Sequence, residues 1–394
     1  MRIVPESFAF TLLLGLFAAL PALSIDISAP TLVLLPKALG TSTTVAGLTL
    51  SFFMVGFALG QLSGGRLSDR RGRRPVLLAG LCCYTAASIA CTLSPSGPAL
   101  VGSRFVQGLG AGACSVLSFA MVQDLFEGDA ARAKRSYVTV VFGAVPMLAP
   151  ALGSVLSGFS GWRAVHGVLA LAGGVLTVVT WLGVGESRCS DLELFAPTAV
   201  RGVVRLRDDP GFVGLTSANA LSYGGVFAYI AGSPVVIIGQ MGLSSAVFAA
   251  VFACTAAALT LGAWTSGRLS RRGLGAARLL GLALGTAVAA TLALAIAGMA
   301  GMTSAVILLP PLLVALFTRG ISAPNLQHLA IERRGEQAGA ASAAVGVSQL
   351  LSGALGSAIV AALLPDLGLN AVAIPMALFA AAALLVWRWT TSRR

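Results

Sequence analysis

Stretches without a single charge alternate with short polar turns through almost the whole chain. From Thr43 to Leu62 the chain passes about 20 residues with no Asp, Glu, Lys or Arg, and from Pro75 to Val101 it is again uncharged. A helix of ~20 apolar residues, rising 1.5 Å per residue, crosses a hydrocarbon core of ~30 Å. Runs of this kind predict spans at 8–36, 43–63, 75–94, 98–123, 136–159, 163–184, 211–239, 244–266, 276–299, 303–329, 337–364 and 369–389. The connections near Ser94 to Gly97, Ser160 to Trp162 and Gly239 to Ser244 are a few residues long and leave no room for an external domain.

The longest polar stretch, Gly185 to Asp209, falls near the middle. Read as a cytoplasmic linker, it divides the chain into an N-terminal six-helix bundle (1–184), the linker (185–209) and a C-terminal six-helix bundle (210–394). A repeated motif supports the division. GGRLSDRRGRR at Gly64–Arg74 returns as SGRLSRRG at Ser266–Gly273, with Gly65 and Gly267 separated by 202 positions in a chain of 394. A motif repeated at half the chain length signals an internally duplicated membrane protein. The fold class is all-α, with twelve transmembrane helices in two pseudo-symmetric bundles.

Composition agrees: 57% hydrophobic residues, 10% charged and a mean hydropathy of +0.90 leave too little polar sequence to cover a soluble core. The net charge of +12 would point to nucleic acid in a soluble chain. Position decides otherwise. All but four of the 26 Lys and Arg residues occupy the termini or every second loop; the exceptions are Lys37, Arg163, Arg104 and Arg319. The positive-inside rule then places the crowded loops and both termini in the cytoplasm, which an even number of spans requires. The first run is too long and too weakly preceded by positive charge to be a cleaved signal peptide, so it stays as a span. Of six cysteines, five lie in apolar runs and Cys189 in the linker, so they read as small packing residues rather than a disulfide framework.

Three charges fall inside spans: Asp26, Arg104 and Arg319. Each costs at least ~2.5 kcal/mol at the bilayer centre and calls for a partner or a wet cavity. Asp26 and Arg104 fall at one depth in the outer part of the membrane, which makes them candidate partners. A carboxylate alternating between open and closed paths to water can bind and release protons, the chemistry of proton coupling. A static structural ion pair is the bland alternative, and for Arg319 it is capping or snorkelling.

At the turn between spans 2 and 3, Gly65, Asp69, Arg70, Gly72 and Arg73, together with Asp124 at the end of span 4, form a candidate cytoplasmic gate of charged hydrogen bonds bridging helix ends. Arg71 and Arg74 read as topogenic charge alone. Span 5 carries Pro146 and Pro150 among several glycines including Gly153, and proline there predicts a bent helix. Asn219, Tyr223, Phe227, Tyr229, Arg319, Asn325 and Gln349 offer aromatic faces and polar groups suited to a cavity for a mostly apolar solute, although helix packing explains any one of them as well.

These residues closely resemble the major facilitator superfamily, and within it the bicyclomycin and chloramphenicol resistance (Bcr/CflA-type) branch of twelve-span drug:proton antiporters. Gly65-x-Leu67-x-Asp69-Arg70-x-Gly72-Arg73-Arg74 fits the signature loop between spans 2 and 3; Arg104-x-x-Gln107-Gly108 looks like the span 4 proton-coupling motif; Asp26-x-x-x-Pro30 looks like the branch's span 1 acidic motif. Two departures stand out. Span 5 reads Ala149-Pro150-x-x-Gly153-Ser154 where many exporters have Gly-Pro-x-x-Gly-Gly, and Arg271 replaces the aspartate in the second-half loop. The resemblance implies proton-coupled efflux of small amphipathic drugs or metabolites across the inner membrane by alternating access, with Asp26 and Arg104 in proton coupling and Pro146, Pro150 and Gly153 in the antiport motif.

The expected partners are a small-molecule substrate, protons and the lipid bilayer, with no nucleic acid. No cofactor is expected beyond the proton gradient, and the chain is read as a monomer. The alternatives are a proton-coupled uptake permease, a dedicated exporter of a self-made metabolite, a membrane-embedded enzyme and a non-transporting sensor. Uptake of a polar solute would call for more polar cavity residues. An enzyme would need a catalytic constellation or metal ligands, and the two histidines, His166 and His328, stand in no ligand spacing.

Overall fold

The computed structural model describes residues 3–187, 206–332, 334 and 337–392; among these every regular element is helical. The membrane-length helices are α1 (Phe8–Asp26), α2 (Thr43–Arg71), α3 (Arg73–Leu93), α4 (Gly97–Leu125), α5 and α6 (together Gly128–Gly183), α7 (Pro210–Pro234, prolonged by a π-helical turn Val235–Gln240), α8 (Ser245–Arg271), α9 (Ala276–Met299), α10 (Ala305–Ile331), α11 (Ala338–Leu367) and α12 (Asn370–Ser392). Serine hydroxyls cap several of them by accepting an otherwise orphaned N–H: Ser7 on α1, Ser42 on α2, Ser96 on α4 and Ser244 on α8.

Among the described residues, eleven helices have the length and hydropathy to cross a membrane. One, Gly128–Gly183, runs 56 residues, about 84 Å at 1.5 Å per residue and nearly three bilayer cores. It is two spans joined at Gly161, whose φ of 72° and ψ of −177° no other residue type adopts without strain. The backbone stays helical through Pro146 and Pro150, so the break in this stretch belongs to the glycine and not to the prolines. Twelve spans result, as the hydropathy pattern predicts.

Span 1 departs from expectation. The predicted single run 8–36 is α1, then a 3₁₀ segment Ala29–Val33, then a short helix Leu35–Leu39. Pro30 is the cause: it stands four residues after Asp26 and has no N–H to offer that carbonyl, so the α-helical ladder stops there. Ser28 and Thr31 close the gap, donating to the Ser24 and Ser28 carbonyls at 2.8 and 2.6 Å.

The chain divides into two compact units, Met1–Ala196 and Pro197–Arg394. Most of the expected linker lies outside the described residues, Arg188 and Cys189 included. Its last residue, Asp209, is well defined as the N-cap of α7, accepting from Gly211 and Phe212 N–H at 2.8 and 3.1 Å and pairing with Arg334 after α10. Burial pushes the Asp209 carboxyl up, but the Phe212 N–H, the Arg334 guanidinium and the Gly211 N–H outweigh it and hold it below the usual carboxylate range.

Each unit contains a helix pair in direct backbone contact. A Cβ on Gly112 of α4 would overlap the Phe57 carbonyl oxygen of α2, and one on Gly60 would overlap the Leu109 carbonyl oxygen. In the second unit Gly320 of α10 meets the Leu259 carbonyl of α8, and Gly262 meets that of Phe317. Positions 57, 60 and 61 thus correspond to 259, 262 and 263, the same 202-residue step as the loop motif. Without a hydrophobic force between helices in lipid, this close approach supplies the attraction. Gly112→Val should therefore destabilise the detergent-solubilised protein by about 1–3 kcal/mol, read as a lower thermal midpoint. Gly102→Ala on the same helix, where nothing lies within 4 Å, should not lower it and should raise it slightly, since alanine favours the helix over glycine. Equal midpoints for the two variants would show that this contact is not tight.

Candidate functional site

In the first unit, α4 turns Arg104 inward, 2% exposed, against α1, α2 and α3. Its guanidinium donates to Gln107 Oε1 at 2.6 Å and to the Ser24 carbonyl and Ser28 Oγ at 3.2 Å each, and stacks on the Phe53 ring at 4.5 Å. The network continues through Gln107 Nε2 to Ser88 Oγ at 2.7 Å, and from Ser24 Oγ to Tyr84 OH at 2.7 Å. A buried cation is thereby satisfied by neutral acceptors and an aromatic face, without a carboxylate.

The expected pairing of Asp26 with Arg104 does not form. Asp26 is 4% exposed and makes neither an ion pair nor a hydrogen bond among the described residues. Helix geometry explains why. Ser24 and Ser28, four apart, share the face of α1 that Arg104 reads; Asp26 stands two residues from each, about 200° round the axis. The depth agrees and the azimuth does not. Gly153 of α5 packs against the Ile27 carbonyl so closely that a Cβ would overlap it, with the buried Pro150 one turn away. Gly153 thus lies against the backbone adjoining Asp26, at the place where α1 breaks.

The turn between α2 and α3 is one residue, Gly72, with φ 94°. A side chain there would be strained, and its Cβ would stand 2.6 Å from Glu186 Oε2. Arg73 is the hub. It donates to Asp69 Oδ1 at 2.5 Å, to Asp124 Oδ2 at 2.8 Å and Oδ1 at 3.4 Å, and to Ser68 Oγ at 2.7 Å. Arg70 lies outside this cluster: it is exposed and unpaired among the described residues. Gly65 has no atom closer than 3.9 Å to its Cβ position, so space does not explain it.

Two residues here escape the sequence reading. Glu186, just past α6, accepts from the Arg73 and Arg74 backbone N–H groups at 2.8 and 3.1 Å and so caps α3 with negative charge. Arg74, read as topogenic, instead donates to the carbonyls of Val184 and Trp181 at 2.8 Å each and ties the start of α3 to the end of α6.

In the second unit Arg319 of α10 is 7% exposed and donates to Asn219 Oδ1 of α7 at 3.0 Å, with the Tyr223 ring 5.9 Å away. It neither caps nor snorkels. Tyr223 and Phe227 pack ring to ring at 4.9 Å. The other candidates go to helix ties: Tyr229 bonds Thr255 of α8 at 3.1 Å and stacks on Phe252, and Asn325 donates to Ser266 and to the Ile321 carbonyl at 2.7 Å each. Gln349 is half-buried and shares no hydrogen bond with the set. Cavities open among the described residues of this unit. One of about 70 Å³ is lined by Tyr229, Ser233, Ile237, Leu294, Leu308 and Leu369. One of about 40 Å³ is lined by Arg319, Ser222, Thr291 and Ser322 among others. Among the described residues no group of His, Cys, Asp and Glu could hold a metal ion.

Twelve apolar helices in two duplicated units, with charges held at helix turns and a few inside the spans, define a multi-pass membrane carrier. The comparisons agree: a profile of the Major Facilitator Superfamily matches residues 12–357, and the chain belongs to that superfamily. It is therefore a membrane transporter and not an enzyme. The uncharacterized MFS-type transporter YdgK of Bacillus subtilis (strain 168) is 33% identical over 378 residues, covering 94% of this chain and 91% of that protein. A chloramphenicol resistance protein of Pseudomonas aeruginosa is 32% identical over 292 residues, 73% of this chain and 68% of the relative. A bicyclomycin resistance protein homolog of Haemophilus influenzae is 27% identical over 375 residues, 92% and 91% of the two chains. Among solved structures, a bacterial homolog of the human lysosomal transporter Spinster, inward-facing and occupied, superposes with a TM-score of 0.81 at 16% identity, covering 99% of this chain and 98% of the other. The D-xylose-proton symporter gives 0.76 at 17% identity with 97% coverage of each. At such identities the likeness is one of fold.

Proposed function

We infer that the protein exports small amphipathic drugs or metabolites in exchange for protons, with Asp26 as the group that takes up and releases the proton. One observation carries this reading: a buried acid without a cationic partner, at the point where α1 breaks against the Pro150 and Gly153 stretch of α5. An acid clamped by an arginine stays charged. One without a cation holds a proton while buried and gives it up when a path to water opens. Relatives named for resistance to chloramphenicol and bicyclomycin support the outward direction.

The basic loops mark the cytoplasmic side by the positive-inside rule, with both termini there and the chain in the inner membrane. On this reading residues 1–184 and 210–394 are the two bundles that alternate access, 185–209 links them, and the protein works as a monomer with no cofactor other than the proton gradient. The Arg73 cluster then lies on the cytoplasmic side, where its charged bonds can form and break as a gate.

The test is a panel of amphipathic compounds in cells lacking other pumps. Expression should lower accumulation of at least one of them, and a protonophore should restore it. Accumulation that rises on expression would make the protein an uptake carrier, and export indifferent to the protonophore would remove the proton.

A further inference from the structure

Arg319 lies fourteen residues into the 27-residue α10, about 20 Å from either end and so near mid-membrane. Nothing of opposite sign meets it. The described acids of this unit, Asp208, Asp209, Glu332 and Asp366, all stand at helix ends, and Arg319 makes no ion pair among the described residues. An arginine cannot escape its charge by losing a proton. Its recorded polar contact is a neutral amide oxygen, that of Asn219, itself fully buried.

That contact fixes the amide. With Oδ1 accepting from the guanidinium, Asn219 must turn its NH₂ the other way, and Nδ2 is buried with no partner. The pair therefore holds the remaining guanidinium N–H groups and two amide N–H groups as donors, against a single lone pair left on Asn219 Oδ1. The cavity of about 40 Å³ alongside is lined by Arg319. Its hydroxyls from Ser222, Thr291 and Ser322 spend their hydrogens on backbone carbonyls of their own helices, so Arg319 supplies its positive character. A space that size admits two or three water-sized groups, enough for the oxygens of a carboxylate.

Nor is Arg319 a duplicate of Arg104. The glycine contacts align Gly320 with Gly112, which places Arg319 opposite Ala111 and Arg104 opposite Leu312. The second unit carries an arginine of its own, two helical turns from the register of the first.

We propose that Arg319 and Asn219 form an anion-recognising site in the C-terminal unit, and that the transported compound carries a carboxylate on an apolar body. The identity of this ligand as exported cargo rests on the export reading above; the recognition itself does not. Val226, Leu284, Leu316 and Met376, which line the same cavity as the arginine, supply the apolar face for the rest of the molecule.

The experiment compares 4-phenylbutyrate, 4-phenylbutyramide and chloride on the purified full-length protein in detergent, by thermal shift and by binding titration at equal ionic strength. In the wild type the carboxylate should bind at least about tenfold more tightly than the amide, and chloride should give no comparable shift. Arg319→Gln should bring carboxylate and amide to the same affinity, and Arg319→Lys should keep part of the difference. If Arg319→Gln does not fold, Asn219→Ala, which leaves the charge in place, should reduce the preference severalfold. Equal binding of acid and amide by the wild type overturns the proposal, as does a preference that survives both variants or a chloride shift as large as that of the acid. Counterflow of labelled 4-phenylbutyrate in proteoliposomes without a pH gradient then reports carriage independently of proton coupling. Counterflow without proton coupling in the wild type would fault the export reading, and the absence of an acid preference in the wild type would fault this one.

Discussion

Asp26→Asn abolishes gradient-driven export, down to the level of protonophore-treated wild type, while counterflow of the same substrate without a gradient persists. The amide keeps the size of the carboxyl but cannot exchange a proton at any physiological pH. Since Asp26 makes no hydrogen bond or ion pair among the described residues, the change removes no contact, and insertion and substrate affinity should hold. Paired transport assays in proteoliposomes, with and without an imposed pH gradient, separate the two activities. Wild-type accumulation by the variant under a gradient would take Asp26 out of the coupling role.

The second large effect concerns Arg73. Its bonds to Asp124 join side chains only 13% and 16% exposed, whereas Asp69 is 44% exposed. Charged hydrogen bonds between partly buried groups contribute roughly 1.5–3 kcal/mol, and exposed pairs roughly 0–1. If the cluster breaks and re-forms in each cycle, Asp124→Asn should lower maximal turnover about tenfold or more with little change in apparent affinity. Asp69→Asn should lower it only a few-fold. The ranking of the two is the point. Equal effects would mean that exposure does not govern these bonds, and wild-type turnover in both would leave the turn with a topological role alone.

The spans and the duplication were legible because lipid imposes them: a helix that crosses must be apolar and about 20 residues long, whatever it packs against. Gly72, Asp69, Arg73 and Asp124 were legible for a related reason, since charges crowded at a one-residue turn have few places to go. Rotation about a helix axis was not legible. Counting residues from the ends of α1 and α4 places Asp26 and Arg104 at one depth, but which face each presents depends on contacts such as Ser24 with Tyr84, and a serine in an apolar run looks like any small residue. Glu186 was hidden in another way. In sequence it belongs to a polar linker more than a hundred residues from Arg73, and only the return of α6 to the start of α3 brings them together. Pro30 did carry a signal, the missing N–H that ends α1, yet within a motif it reads as a recognition residue rather than as a break.

If Arg319 forms the proposed site, its mid-membrane charge also works as a filter. A fixed guanidinium near mid-membrane raises the electrostatic potential around it, and at ~8 Å, with an effective dielectric of ~20, a second positive charge meets about 2 kcal/mol of repulsion, roughly a thirtyfold penalty. Lipophilic cations, which a carrier lined only by aromatic and aliphatic groups would accept, would be turned away by the same residue that is proposed to admit an acid. On that proposal the breadth of the transporter is bounded by the sign of the solute's charge before its shape is tested.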